Sequence, residues 1–265
     1  MRLCPIASGS SGNCIYIGSD TTHILVDVGI SGKKTEEGIH SLELDMSDLD
    51  AILITHEHSD HIKGLGVLSR KYNIPVYATA NTISDIINSG EIGNVDNSLF
   101  HVIEADNRFN IKDITVNPMH ISHDAADPVA YRFLHGDSKA AIVTDLGTYD
   151  DYTIESLKGM NVIMMEANHD VNMLQVGPYP YYLKKRILSD HGHLSNENSG
   201  KLLSELLHDR THEIILGHLS KENNMPELAF ESVSLEITLS DKPYKGSDFP
   251  IQVAKRSEPS RCVYF

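Results

Sequence analysis

Apolar residues come in short blocks, and five of these blocks end in a residue able to bind a proton or a metal. Leu3 to Ile6, Cys14 to Ile17 and His23 to Val28 read as strands, separated by the Ser8-Gly-Ser-Ser-Gly-Asn13 loop and a Ser19-Asp20 turn. Ala51-Ile-Leu-Ile54 is too short and too branched for a helix and reads as a buried strand, with Thr55 opening the loop that follows. A helix is expected from about Ile62 to Tyr72, a strand over Val76 to Ala78 after Pro75, and a helix from about Asn81 to Asn88. Phe100 to Ile103, Ile114 to Pro118, Val129 to Leu134 and Ala140 to Thr144 continue as strands resembling a meander, and Val162 and Ile214 each open another. Leu202, Leu203, Leu206 and Leu207 recur at helical spacing between Asn196 and Asp209, behind Ser195 as an N-cap. A helix from Pro226 through Leu239 and strands near Ile251 to Ala254 and Cys262 to Phe265 complete an α/β pattern.

The chemistry gathers at strand ends. Asp27, His56, Asp145, Glu166 and His218 each close an apolar block, as a site at one sheet edge requires. The densest is His56-Glu-His-Ser-Asp-His61. His56 and His58, two apart in an extended segment, project to the same side and can share one ion. Asp60 and His61 follow on the turn and face a second point; a two-metal site needs its ions only about 3.5–4 Å apart. Imidazole and carboxylate suit zinc, manganese or iron. His120 and His123 are expected after the strand that begins at Ile114, and a carboxylate at the place of Asp145 can bridge two ions.

Charge and composition narrow the partners. The 265 residues carry 22 Lys and Arg against 37 Asp and Glu, a net charge of −15, which argues against wrapping nucleic acid with the whole surface. A polyanion must meet a local patch, and bound cations would add positive charge there. One such patch is Tyr179 to Arg186: Tyr181 and Tyr182 offer stacking faces, and Lys184, Lys185 and Arg186 offer phosphate contacts. Three scattered cysteines indicate neither a disulfide framework nor a zinc ribbon and fit a reducing cytoplasm. No secretory core or apolar run of transmembrane length is present, and no linker divides the chain, so a single domain over 1–265 is expected.

His56-Glu-His-Ser-Asp-His61 resembles the His-x-His-x-Asp-His motif of metallo-β-lactamase-fold hydrolases. That resemblance implies a four-layer αββα sandwich with the metals at one edge of its paired sheets. It also implies that Asp27 orients a metal-ligating histidine from behind, and that His123, followed by Asp124 and Asp127-Pro-Val-Ala-Tyr131, is the family's third ligand in preference to His120. Ser8 to Asn13, Glu166-Ala-Asn-His-Asp170, Gly192-His-Leu-Ser-Asn196 and Gly217-His-Leu-Ser-Lys-Glu-Asn-Asn224 further resemble the YycJ/WalJ (VicX) group of bacterial proteins. This group is similar to ribonuclease Z in motif order. The present chain departs from ribonuclease Z in its Glu166 block and shows no long exosite arm.

The expected site holds metal one at His56, His58, His123 and Asp145, and metal two at Asp60, His61, Asp145 and His218. A bridging hydroxide would attack phosphorus, with His193 as the acid for the leaving oxygen and Glu166 orienting it. His169 is expected behind the ligands, and spacing alone does not rank His169, His191 and His193 as the acid. The group resemblance implies a DNA exonuclease or phosphodiesterase using manganese or zinc, with nucleic acid or a small phosphodiester as substrate. A thioester hydrolase of glyoxalase II type and a non-hydrolytic regulatory or redox module are the alternatives. Oligomeric state is left open, a homodimer included.

Overall fold

β-branched runs bounded by turn residues form fourteen strands in the computed structural model, which describes residues 1–265. They are β1 (Arg2–Ala7), β2 (Cys14–Gly18), β3 (His23–Val26), β4 (Ala51–Leu53), β5 (Val76–Thr79), β6 (Phe100–Ile103), β7 (Phe109–Ile111), β8 (Ile114–His120), β9 (Val129–His135), β10 (Ser138–Val143), β11 (Val162–Glu166), β12 (Glu213–Gly217), β13 (Ile251–Val253) and β14 (Val263–Tyr264). Two mixed sheets result, ordered β14-β1-β2-β3-β4-β5-β6 and β13-β12-β11-β10-β9-β8-β7. Nine helices accompany them: α1 (Gly32–His40), α2 (Ser59–Ile62), α3 (Leu65–Tyr72), α4 (Ala80–Ser89), α5 (Asp151–Leu157), α6 (Val171–Val176), α7 (Tyr181–Ile187), α8 (Asn196–Leu206) and α9 (Pro226–Leu239). None is long and apolar enough to cross a membrane.

Backbone contacts group the residues into two compact units. The first comprises Met1–His120, Ala125–Gly136 and Lys255–Tyr264. In it β1, β2 and β3 pair antiparallel and β3 through β6 run parallel, so that β3 and β4 end side by side. Cys4, Ile6, Tyr16, Leu25, Ile52, Leu65 and Val76 belong to its buried core. A register shift between Pro5 and Ala7 ends β1 and launches the Ser8 to Asn13 loop.

The second unit comprises Ile121–Asp124, Asp137–Ala254 and Phe265. Its strands β10, β11, β12 and β13 are parallel and in register, and the central β11 and β12 are buried on both faces. Ser195 caps α8 by accepting from Asn198 N, and Leu202, Leu203 and Leu206 are buried, as their spacing predicts.

The expected elements are present with shifted ends. Helical structure begins at Ser59, so Asp60 and His61 lie on the turn of α2 and not on a loop ahead of a helix at Ile62. His120 is the last residue of β8 and does not follow the strand. β3 stops at Val26 because Asp27 turns out of the strand with φ 58°. α1, α5, α6 and β7 have no counterpart in the sequence expectation. α1 buries Gly32, Thr35, Gly38 and Ile39, a face too short of large apolar residues to show helical spacing. A Cβ on Gly38 would stand 2.3 Å from Ile6 Cγ2, so the approach to β1 needs glycine there.

Candidate metal centre

In the first unit the sheet delivers two strand ends to one point. Asp27 after β3 is fully buried, and its carboxylate accepts from Thr55 N at 2.9 Å, from Thr55 Oγ1 and from His61 Nδ1 at 2.7 Å. A carboxylate only accepts, so the proton of His61 sits on Nδ1 and Nε2 keeps its lone pair. Thr55 Oγ1 also lies 3.0 Å from His56 Nδ1, so one hydroxyl orients a second ring. His56 Nε2 and His58 Nδ1 stand 3.0 Å apart, and His61 Nε2 is 3.6 Å from Asp60 Oδ2. The ring of His56 lies 4.6 Å from that of His58 and 4.1 Å from that of His61, centroid to centroid. All four donors of the motif are therefore gathered, with His56 and His61 fully buried.

Gly29 makes this packing achievable. A Cβ there would fall 1.6 Å from Asp60 O, so only glycine lets the backbone after β3 pass the α2 turn. Tyr131 on β9 anchors the strand end from the other side, its buried hydroxyl donating to Ile54 O at 2.7 Å.

In the second unit three histidines surround Asp145. His123 Nε2 lies 3.7 Å from Asp145 Oδ1, and His193 and His218 present Nδ1 to the same oxygen at 3.6 and 3.5 Å. Asp145, Glu166, His193 and His218 bring one donor atom each within 4.8 Å of one another. His123 Nδ1 donates to Gly192 O at 3.1 Å, which puts the ring's lone pair on Nε2. Glu166 Oε1 accepts from His218 Nδ1 at 2.7 Å and from His193 Nδ1 at 2.9 Å, and Oε2 accepts from Leu146 N and Leu194 N. Burial pushes this carboxyl up, but His193 and His218 outweigh burial and bring it down to about 2.

The strand-end backbone is unusual at three of these positions. Asp27, Asp145 and His218 take φ of 58°, 59° and 55°, the left-handed region that non-glycine residues seldom occupy. Such strain persists where the surroundings impose it, and it concentrates at functional sites.

The remaining expected residues fall as follows. His169 is buried, with Nδ1 3.3 Å from Asn168 Oδ1, and burial lowers its pKa to about 4. His191 is exposed and bonds Ser122 Oγ, whereas His193 is held by Glu166 and 16% exposed. On α7, Tyr181 and Tyr182 are 82% and 74% exposed and Lys185 is exposed; Lys184 Nζ donates to Gln175 O. Arg186 is not a free cation: its Nε and Nη2 grip Asp124, the latter at 2.9 Å. His120, exposed on β8, pairs at 3.9 Å with Asp127. Two contributors carry no signal of their role in the sequence. Thr55, which opens the loop after β4, places Oγ1 3.0 Å from His56 Nδ1, and Asn13, at the end of the Ser8 to Asn13 loop, places Nδ2 3.2 Å from His61 Nε2.

Imidazole nitrogens with lone pairs, carboxylate oxygens and hydrogen-bonded backing residues are the donor chemistry of a divalent cation site. A family model described as a beta-lactamase superfamily domain matches residues 22–218. Exodeoxyribonuclease YycJ of Bacillus anthracis is 43% identical over 265 residues, covering 100% of this chain and 99% of the relative. Exodeoxyribonuclease WalJ of Streptococcus pneumoniae is 43% identical over 246 residues, covering 93% and 91%. Among solved structures, the metallo-β-lactamase fold protein YhfI from Bacillus subtilis superposes with a TM-score of 0.73 at 16% identity, covering 98% of each chain. That likeness establishes the fold, in which His and Asp clusters imply divalent metal binding. Through the model matched over residues 22–218 and relatives matched along nearly their whole length, the chain belongs to the beta-lactamase superfamily, in the group of YycJ and WalJ.

Proposed function

We propose that the protein is a metal-dependent phosphodiester hydrolase, a nuclease acting on DNA ends, whose two donor sets work together in one domain as a dinuclear centre. His56, His58, His123 and Asp145 would hold one ion, and Asp60, His61, Asp145 and His218 the other. Zinc or manganese suits these ligands, and iron is chemically compatible. Bound there, the ions would supply an acidified water and neutralise charge developing on phosphorus.

The observation that carries this reading is Glu166, whose single oxygen Oε1 accepts from both His193 and His218. The carboxylate fixes the proton of each ring on Nδ1, which leaves Nε2 of His218 to bind metal. It also holds the ring of His193, which would donate a proton to a leaving oxygen. A phosphodiester leaving group needs that proton, and His193, being partly exposed, can meet substrate. The full-length likeness to exodeoxyribonucleases supports DNA as the polymer. Tyr181, Tyr182, Lys184 and Lys185 would receive the strand by stacking and phosphate contact, while Arg186 holds its place through Asp124. Free cysteines and the relatives' nuclease activity fit a cytoplasmic enzyme.

The test offers metal-free protein, with Mn²⁺ or Zn²⁺ added back, several substrates. These are bis-p-nitrophenyl phosphate, labelled single- and double-stranded DNA, RNA and lactoyl-glutathione. Metal-dependent DNA cleavage, lost in His58→Ala and His193→Ala, is expected. Thioester hydrolysis without phosphodiester cleavage would overturn the reading.

A further inference from the structure

The Ser8 to Asn13 loop ends beside the candidate ligands, and the orientation of its last side chain is decided by a backbone donor. Gly9 N donates to Asn13 Oδ1 at 3.1 Å, and Ser8 Oγ donates to the same oxygen at 3.4 Å. An amide N–H cannot face another donor, so the oxygen lies on the loop and the NH2 group points away from it. It points at His61, with Nδ2 3.2 Å from Nε2, on the ring nitrogen that carries the lone pair. The main chain of Asn13 is tied to the same elements: its N donates to Asp60 O at 2.8 Å, and its O accepts from Gly29 N at 2.7 Å. The residue is fully buried.

Pinning the loop uses only the oxygen of this amide. The NH2 group satisfies a lone pair that a cation at His61 would claim, and a buried donor deprived of its acceptor is costly. An acceptor in the same donor set is the Asp60 carboxylate, whose Oδ2 lies 3.6 Å from the same Nε2. We infer that Asn13 is a positioning residue: its NH2 holds His61 Nε2 until a cation binds there, then passes to the Asp60 carboxylate and keeps it turned to the ion. Asn13 thereby holds Asp60 and His61 ready as a pair, whereas Thr55 orients His56, whose Nε2 meets His58 Nδ1 at 3.0 Å, without Asn13. The inference rests on the reading of Asp60 and His61 as ligands of one ion.

The test is Mn²⁺ binding by calorimetry on full-length wild type, Asn13→Ala and Ser8→Ala, with thermal melting alongside. Asn13→Ala should weaken one Mn²⁺ equivalent about tenfold or more and leave the other within about twofold, and excess Mn²⁺ should restore most of the turnover. Ser8→Ala, which removes a loop contact but not the NH2 group, should leave both equivalents unchanged. Should Asn13→Ala not fold, Asn13→Asp retains the acceptor for Gly9 and lacks the donor, and it should shift the same equivalent alone. Equal affinities in the foldable Asn13 variant and wild type, or a uniform weakening of both equivalents, would overturn the inference. Wild type that binds two Mn²⁺ but cleaves no phosphodiester would instead overturn the nuclease reading and leave the role of Asn13 standing.

Discussion

His218 Nδ1 donates to Glu166 Oε1 at 2.7 Å, a bond made at the ends of adjacent parallel strands, where Glu166 closes β11 and His218 follows β12. His193 shares that oxygen, so one buried carboxylate sets the proton position of two rings. Glu166→Gln offers these rings a neutral amide in place of an anion. Activity is expected to fall about 10–100-fold, the usual cost of losing a backing carboxylate. Steady-state rates with metal titration check it; unaltered rates would show that the ring orientation comes from elsewhere.

Tyr131→Phe removes the donor to Ile54 O without changing side-chain shape. A buried carbonyl left short of a partner costs about 1–3 kcal/mol. Urea denaturation should report that loss, with substrate turnover near wild type because the hydroxyl touches no candidate ligand.

Acid should weaken the metal-free protein partly through His169. Burial lowers the pKa of this ring to about 4, below the roughly 6.5 of an unfolded histidine. Between those values the unfolded chain binds a proton that the folded chain refuses, so stability rises with pH from about 4 to 6.5 and is lost on acidification. His169→Gln should flatten that slope. A slope identical to wild type in equilibrium denaturation across this window would assign the acid sensitivity to other groups.

Tyr181 and Tyr182 project from α7 with most of their surface in solvent. Replacing both by Ala should raise KM for single-stranded DNA about tenfold or more, since stacking contributes about 1–3 kcal/mol per base. Hydrolysis of bis-p-nitrophenyl phosphate should be unaffected, because a small ester carries no flanking nucleotides to stack. Parallel losses on both substrates would remove the stacking role.

The fold class and the residues of the candidate site are legible in the sequence. A run such as Ile24-Leu-Val followed by Asp27, or Ile214-Ile-Leu followed by His218, states both a buried strand and the polar residue at its end. Strand periodicity and the need to pair or solvate a polar group act locally, so the sequence alone determined the α/β pattern, the strand ends and the His56 to His61 motif. The ring proton positions were beyond it, because they depend on partners distant in sequence: Asp27 for His61, Gly192 for His123, Glu166 for His193 and His218. Arg186 shows the same limit, since its neighbour Asp124 lies 62 residues away and turns an apparent phosphate contact into an internal pair. Asn13 shows it most clearly: a loop that reads as a turn becomes a neighbour of His61 only when α2 folds back on Gly29 and the strand ends meet. Hydrogen-bond partners and donor directions are fixed by long-range packing, and that is what the tertiary structure decided.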